Sequence, residues 1–328
     1  PKPKRKITNL MKVITFILSL VISASAFASD ENPAKALLLD MAKAVHTRNF
    51  DASFVVVKGQ AMEPYRWLHA KQGDIELEHL SLLNGAGLEM ARVNDHVTYF
   101  EPHSEPYSVK TDSIAGPIPE VLFKDIERLS AHYDFVLGGK GRIAGRSAQL
   151  VRIESKDEFK FNYWIWLDTE SSLLLKSAYV NHKGEMLEQL QLTHISVTEQ
   201  PAPLLLEMQN RDFPTPLPVS EIDNESTGTA VNNWKIGWLP DGFKLLKSDR
   251  HKLDLNNELT DYYLYSDGFV EVSVFVQRPL PGKRPSGALS SGATTIYVHN
   301  SGSFDVSVVG NIPAMTAKAI AESVARPL

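Results

Sequence analysis

Glu76 and Glu78 stand two residues apart in Ile75-Glu-Leu-Glu-His-Leu80, so a strand would project both carboxylates from one face. Paired carboxylates can divide general acid and base work, yet a Glu-x-Glu on a strand edge is ordinarily a wetted face. Gly139-Lys-Gly141-Arg-Ile-Ala144 carries the G-x-G-x-x-A spelling of a dinucleotide turn. That turn has to open a helix whose N-terminal amides hold the pyrophosphate. Arg146-Ser-Ala-Gln-Leu-Val-Arg-Ile153 follows instead and reads as a strand, so a hairpin is expected. Gly287-Ala-Leu-Ser-Ser-Gly292 lacks the spacing and the strand-to-helix turn of a nucleophile elbow, and reads as a mobile loop. His103-Ser-Glu105 echoes a zinc deaminase fragment, but the chain has no cysteine to complete that site. The 10 histidines are scattered, without an H-E-x-x-H pair. Catalysis has no positive support, and neither a metal nor another cofactor is expected.

Chemistry without catalysis leaves binding, and composition narrows what is bound. Lys12 precedes the apolar run Val13–Ile22, and Ala26-Phe-Ala28 closes it. A basic start, a short greasy middle and an Ala-x-Ala end predict a secretory signal peptide cleaved after Ala28. The run is too short for a membrane-spanning helix. Pro1–Leu10 reads as an upstream extension, with Met11 the expected start. The first 28 residues hold five basic and no acidic side chains, so the remainder carries 29 Lys and Arg against 39 Asp and Glu. A net charge near −10 argues against nucleic acid. Absence of cysteine removes disulfides, thiolate metal sites and N-terminal lipidation. With 43% hydrophobic residues, the exported part can bury an adequate core, most simply in two domains.

Leu37, Leu38, Met41, Ala44 and Val45 recur at helical spacing and predict one amphipathic helix over 33–47. From Asp51 the period becomes two. Strands are predicted at 53–57, 65–69, 75–80, 88–93 and 96–100, then at 133–137, 148–154, 159–167, 173–179 and 186–197. A helical interlude after Pro119 carries Val121, Leu122, Phe123, Ile126 and Leu129. The fold class is therefore α+β, mainly β, with one meandering antiparallel sheet that curls under helices. The domains are expected at 29–198 and 234–328, with a Pro-rich linker over 199–233. The smaller domain offers strands at 259–265, 269–277, 294–298 and 304–309, and a closing helix over 314–325.

Several strands are apolar at both parities. In Phe161-Asn-Tyr-Trp-Ile-Trp-Leu167, Trp164 and Trp166 point one way while Tyr163, Ile165 and Leu167 point the other. One account is a sheet covered by helices, so that both of its faces are core. The other is a concave face that holds an acyl chain, lined by Phe54, Val56, Trp67, Leu77, Leu80, Trp164 and Trp166. Alternation does not decide which face is concave.

Tyr99-Phe-Glu-Pro102 with Glu105-Pro106, Leu129-Ser-Ala-His-Tyr-Asp-Phe135 and Gly141-Arg-Ile-Ala-Gly-Arg146 occur in that order. Trp166-Leu-Asp-Thr-Glu170 with Gly184-Glu-Met-Leu-Glu188, Trp238-Leu-Pro-Asp-Gly-Phe243 and Tyr265-Ser-Asp-Gly268 follow. Together they resemble the RseB/MucB family of periplasmic sigma-E regulators over essentially the whole exported chain. The resemblance implies a half-open barrel with helices in its mouth, similar to periplasmic lipoprotein carriers, and a smaller C-terminal domain. It implies a negative regulator, not an enzyme, that binds the periplasmic part of an anti-sigma factor and shields it from proteolysis. A lipid or lipopolysaccharide fragment would release that grip. The partner is expected on the C-terminal domain around Trp238, Phe243, Tyr263, Tyr265 and Phe269, and the lipid in the N-terminal cavity. A soluble periplasmic lipid carrier is the alternative, and a homo-oligomer stays open. The loop Asn84–Gly87 and the linker depart most from the family's pattern.

Overall fold

The structure is a computed structural model that describes residues 32–114, 116–217, 234–252, 259–279 and 285–326. The signal segment and residues 218–233 of the expected linker lie outside the described residues. Among the described residues no helix is long and apolar enough to cross a membrane.

Leu38, Met41, Ala44 and Val45 form the buried stripe of α1 (Pro33–Thr47), as their spacing demands. In β1 (Asn49–Lys58) Phe50, Ala52, Phe54 and Val56 turn inward and the residues between them outward. The strands β2 (Ala61–Gln72), β3 (Ile75–Leu82), β4 (Glu89–Val93), β5 (His96–Phe100) and β6 (Tyr107–Lys110) extend the sheet on one side. On the other side stand β11 (Met186–Thr198), β10 (Leu174–Val180), β9 (Asn162–Asp168), β8 (Arg146–Ser155) and β7 (Tyr133–Ile143). Neighbours in this run are antiparallel, with β11 returning to pair with β1 through Val56 opposite Leu190. The 12-stranded sheet ends at β7 and at β12 (Pro216–Leu217), and these ends do not pair, so the barrel stays open.

Its inner face carries Phe54, Val56, Trp67, Leu80, Tyr163 and Ile165 in one apolar cluster with α1, α2 (Val121–Lys124) and α3 (Ile126–Leu129). The single helix expected after Pro119 is two. Asp125 leaves helical geometry at φ −144° and its carboxylate accepts the Arg128 amide at 3.1 Å, capping the second turn.

Seven of the 35 residues expected as linker form a helix. Residues 203–209 form α4 (Pro203–Gln209), whose Leu205 and Met208 are buried on the outer face against Leu68, Ala70, Leu77 and Ala91. Pro203 at the first turn suits a helix start, and two apolar residues three apart give it a face to bury. Counting prolines missed that pattern.

The C-terminal domain is a six-stranded antiparallel sheet. Its order is β14 (Lys244–Lys252), β15 (Leu259–Ser266), β16 (Glu271–Gln277), β19 (Asp305–Gly310), β18 (Thr294–Asn300) and β17 (Gly287–Ser291). α5 (Ala314–Glu322) lies over β18 and β19 with Ala317, Ile320 and Ala321 buried. A short pair, β13 (Lys235–Ile236) with β20 (Val324–Ala325), ties the start of this domain to its end. The 287–292 segment is thus an edge strand and its turn, not a loop.

Candidate functional site

Two places combine concavity with convergent side chains: the inner face of the large sheet, and the junction between the domains. Cross-strand pairing puts Trp67 beside Leu80 and Phe54 beside Tyr65 on the inner face. The Phe123 ring of α2 approaches Trp67 at 6.3 Å between centroids. Ile114, Pro117 and Ile118 lie over Phe54 and Leu80, leaving a void of about 40 Å³. A second gap beside Val56, Tyr163 and Leu190 holds about 10 Å³. Such spaces admit about one water, whereas ligand pockets run to roughly 300–1,000 Å³. The inner face is closed in this conformation, with Ile114, residues 116–118 and α2 as its lid.

Beneath that lid lies a buried polar network. Glu76 accepts from His46 of α1 at 2.9 Å, from His69 at 3.2 Å and from Arg92 at 2.6 Å. Glu78 accepts from the Trp67 indole at 2.6 Å and from Arg92 Nε at 2.8 Å. Burial alone would raise the Glu76 carboxyl, but these donors outweigh it and hold the group well below the usual carboxylate range. Hydrogen bonding to Glu76 raises His46, whose ring also meets the Phe123 backbone in the lid. The two glutamates are therefore not a wetted edge. They turn inward, every carboxylate oxygen the network uses accepts a hydrogen bond, and the Arg92 guanidinium lies against both groups, which suits scaffolding rather than proton transfer. Their parity was visible in the sequence; the arginine and histidines that meet them come from other strands and were not.

The expected lipid-pocket residues divide between the two faces. Phe54, Val56, Trp67 and Leu80 share the inner face. Leu77 does not: it is three residues from Leu80, so its side chain points outward, into the cluster under α4. Trp164 and Trp166 also point outward, opposite in parity to the buried Tyr163, Ile165 and Leu167. Their rings meet edge-on at 6.2 Å, and the Lys176 ammonium lies 5.0 Å over Trp166. Alternation separates the faces without naming the one that helices cover.

Between the domains opens a cleft of about 740 Å³. Pro117, Lys124 and Arg128 line it from the first domain, and Glu271, Val309 and Asn311 from the second. Its inner end is closed by a lock. Phe269 packs edge-on against Tyr133 and Tyr163, each at 5.3 Å. The Tyr133 hydroxyl donates to Asp267 at 2.7 Å, while Asp267 also takes the Phe269 and Val270 amides at 2.8 Å each. Lys160, fully buried, donates to Asp157 at 2.6 Å and to the Asp241 carbonyl at 3.2 Å. Burial, then the neighbouring Asp267 charge, raises the Tyr133 hydroxyl well above its usual value. Across the cleft floor Lys58 donates to Thr294 at 2.7 Å and Thr294 to Asn311 at 2.8 Å.

Of the residues expected at the partner interface, Phe269 belongs to this lock. Trp238 meets Phe159 of the first domain at 5.0 Å. Tyr263 is 4%, Tyr265 9% and Phe269 6% exposed, too little to greet a partner directly. Phe243 is half-buried and packs on the shared core. Tyr133, Lys160 and Asp267 were missed, because only the folded chain brings the two domains' residues together.

Comparison with known proteins fits this two-part architecture. Residues 33–217 match the MucB/RseB N-terminal domain and residues 228–325 the MucB/RseB C-terminal domain. Sigma-E factor regulatory protein RseB of Haemophilus influenzae is 32% identical over 314 residues, covering 96% of this chain and 98% of that protein. Sigma factor AlgU regulatory protein MucB of Pseudomonas aeruginosa is 27% identical, covering 97% and 96%. The solved Pseudomonas aeruginosa MucA/MucB complex contains a chain that aligns with a TM-score of 0.71 at 25% identity, covering 90% of this chain and all of that one.

Proposed function

We infer from its membership of the MucB/RseB family, to which this chain belongs, that it is a periplasmic negative regulator of the sigma-E envelope stress response. It binds the periplasmic part of an anti-sigma factor and keeps that segment from proteolysis. The observation that carries this reading is the likeness of both domains together to the MucB chain of the solved MucA/MucB complex. The relatives are named regulatory proteins, in keeping with a protein that acts by occupancy.

The cleft between the domains is the place offered to the partner, being wide and lined by both domains. A lipid or lipopolysaccharide fragment is the releasing signal, entering the inner face once residues 116–118 and α2 withdraw. Release requires that the lipid prefer a conformation the partner disfavours. Swinging the population from 1:99 to 99:1 takes about a 10⁴-fold difference in lipid affinity between the two states. The lid is the element assigned to this change, since Phe123 contributes both to the closed inner face and, through its backbone, to the His46 network.

The test is calorimetric titration of the chain beginning at Ser29 with the periplasmic segment of its own organism's anti-sigma factor, paired with a proteolysis time course. Saturable binding that slows cleavage of the segment supports the regulator. Failure to bind, or cleavage at the free rate when saturated, ends it. Adding lipopolysaccharide to the preformed complex then tests release separately.

A further inference from the structure

We propose that the outer face of the large sheet around Trp164 and Trp166 is a bench on which the glycan strands of the cell wall lie. These two rings point away from the lid, and neither lines the cleft between the domains. α4 covers the same outer face at β2, β3 and β4, and β9 stands four strands further along from β2. Residues i and i+2 of a strand share a face about 6.7 Å apart, and the two indole centroids are 6.2 Å apart. Ala178, the neighbour of Trp164 on that face, is 2% exposed, so the indole lies down over it instead of standing out. Rings held level with a sheet are the wrong shape for piercing a bilayer and the right one for a pyranose. The axial C–H groups of a sugar carry partial positive charge and rest on the negative face of an aromatic ring. Gln189 stands beside Ala178 and Gln191 beside Lys176, and each amide can donate and accept, as sugar hydroxyls require.

Charge selects among glycans. The exported chain is acidic overall, yet this bench carries Lys176 and, opposite Trp164 on β8, Arg152. Among the described residues Lys176 has no carboxylate partner. Its ammonium lies 5.0 Å over the Trp166 ring, and burial lowers its pKa from the usual lysine value. Arg152 meets Glu154 through Nη1 at 3.1 Å, while its Nε and the Trp164 Nε1 are buried with no acceptor among the described residues. Donors left in that state are costly, so an acceptor-rich, anionic ligand is favoured over a neutral one. The amino-sugar strands of the wall offer both parts: pyranose faces to stack, and carboxylates on the lactyl and peptide substituents of alternate rings. The inference uses the periplasmic placement reached above and nothing of the anti-sigma reading.

The test is co-sedimentation of the chain beginning at Ser29 with purified sacculi freed of protein and lipid, followed by calorimetric titration with the soluble glycan fragments that muramidase releases from them. Saturable binding is expected, weakened about tenfold by Trp166→Ala and several-fold by Lys176→Gln, with circular dichroism and binding of the anti-sigma segment unchanged. Trp166→Phe keeps a ring and is expected to recover most of the affinity. Should Trp166→Ala fold poorly, Lys176→Gln alters charge without removing a ring and carries the comparison alone. No binding to sacculi, or binding that both variants retain in full, overturns the proposal. So does competition by wall stem peptides that carry no sugar, or by anionic lipid vesicles, since either would assign the bench to another ligand. Loss of anti-sigma binding in the same variants would assign it to that segment and likewise overturn the proposal.

Discussion

The Tyr133 hydroxyl of the first domain donates to the Asp267 carboxylate of the second across 2.7 Å, and neither residue is more than 3% exposed. Asp267 lies in the Tyr265-Ser-Asp-Gly268 turn, and its other oxygen already holds the Phe269 and Val270 amides. One carboxylate thus shapes its own turn and fastens that turn to the neighbouring domain. Any change in domain arrangement has to break this bond or carry both residues with it.

Replacing Tyr133 by Phe keeps the ring against Phe269 and leaves the outer oxygen of Asp267 without its donor. A hydrogen bond to a buried charge is worth about 1.5–3 kcal/mol. The expected outcome is a lower denaturant midpoint, together with a larger radius of gyration by solution scattering as the domains part. An unchanged radius with a lowered midpoint would mean the bond stabilises without setting the domain arrangement.

Phe269→Ala removes the ring seated between Tyr133 and Tyr163, and a void that cannot collapse there costs about 3–5 kcal/mol. Since the ring is buried, any loss of anti-sigma binding should come from altered domain geometry rather than from a lost contact. Hydrogen exchange checks this: faster exchange is expected in β7 and β9 of the variant without any partner present.

The closed inner face makes a prediction about lipid. Phe123→Ala thins the lid over Trp67 and is expected to tighten binding of a fluorescent fatty acid. Phe54→Gln and Leu80→Gln are expected to weaken it several-fold, since both sit under the lid. Trp164→Gln and Trp166→Gln, on the outer face, should leave it unchanged. Equal losses from the inner and outer substitutions would remove the inner face as the lipid site.

Periodicity made most of the N-terminal sheet and its leading helix legible. Apolar residues at every second position in β1 and at every third or fourth in α1 each have one way to be buried. The errors arose where two patterns compete. Proline density hid α4, whose helical signal is only Leu205 and Met208. Gly287–Gly292 looked like a loop because small residues carry no period, yet cross-strand pairing with β18 makes it an edge. Leu77 was grouped with Leu80 on hydrophobicity, although an odd separation forbids a shared face in a regular strand. The site was less legible than the fold. Each candidate aromatic was identifiable as apolar, but whether it faces the lid, the outer surface or the other domain depends on pairings far apart in sequence, as with Tyr133 and Asp267.

The His46–Glu76 pair gives stability a pH window. Glu76 is held below the ordinary carboxylate value of 4.5, so its contribution is present above that pH and lost as pH falls further. His46 is raised above the ordinary 6.5, chiefly by its bond to Glu76, so its contribution is complete below 6.5 and fades as pH rises through the folded value. Both contributions coexist between about pH 4.5 and 6.5, where the stability from this network is greatest. Denaturant midpoints measured from pH 5 to 8 should therefore fall on the alkaline side, and His46→Gln should flatten that limb while lowering the pH 5.5 value. The ring also meets the Phe123 backbone, so the same titration ought to loosen the lid: protection of the 119–125 amides, taken relative to their intrinsic base-catalysed exchange, is expected to fall above neutral pH in the natural chain and to stay constant with pH in the variant. Identical alkaline limbs in the two proteins would show that His46 does not hold the lid and that some other group sets the slope.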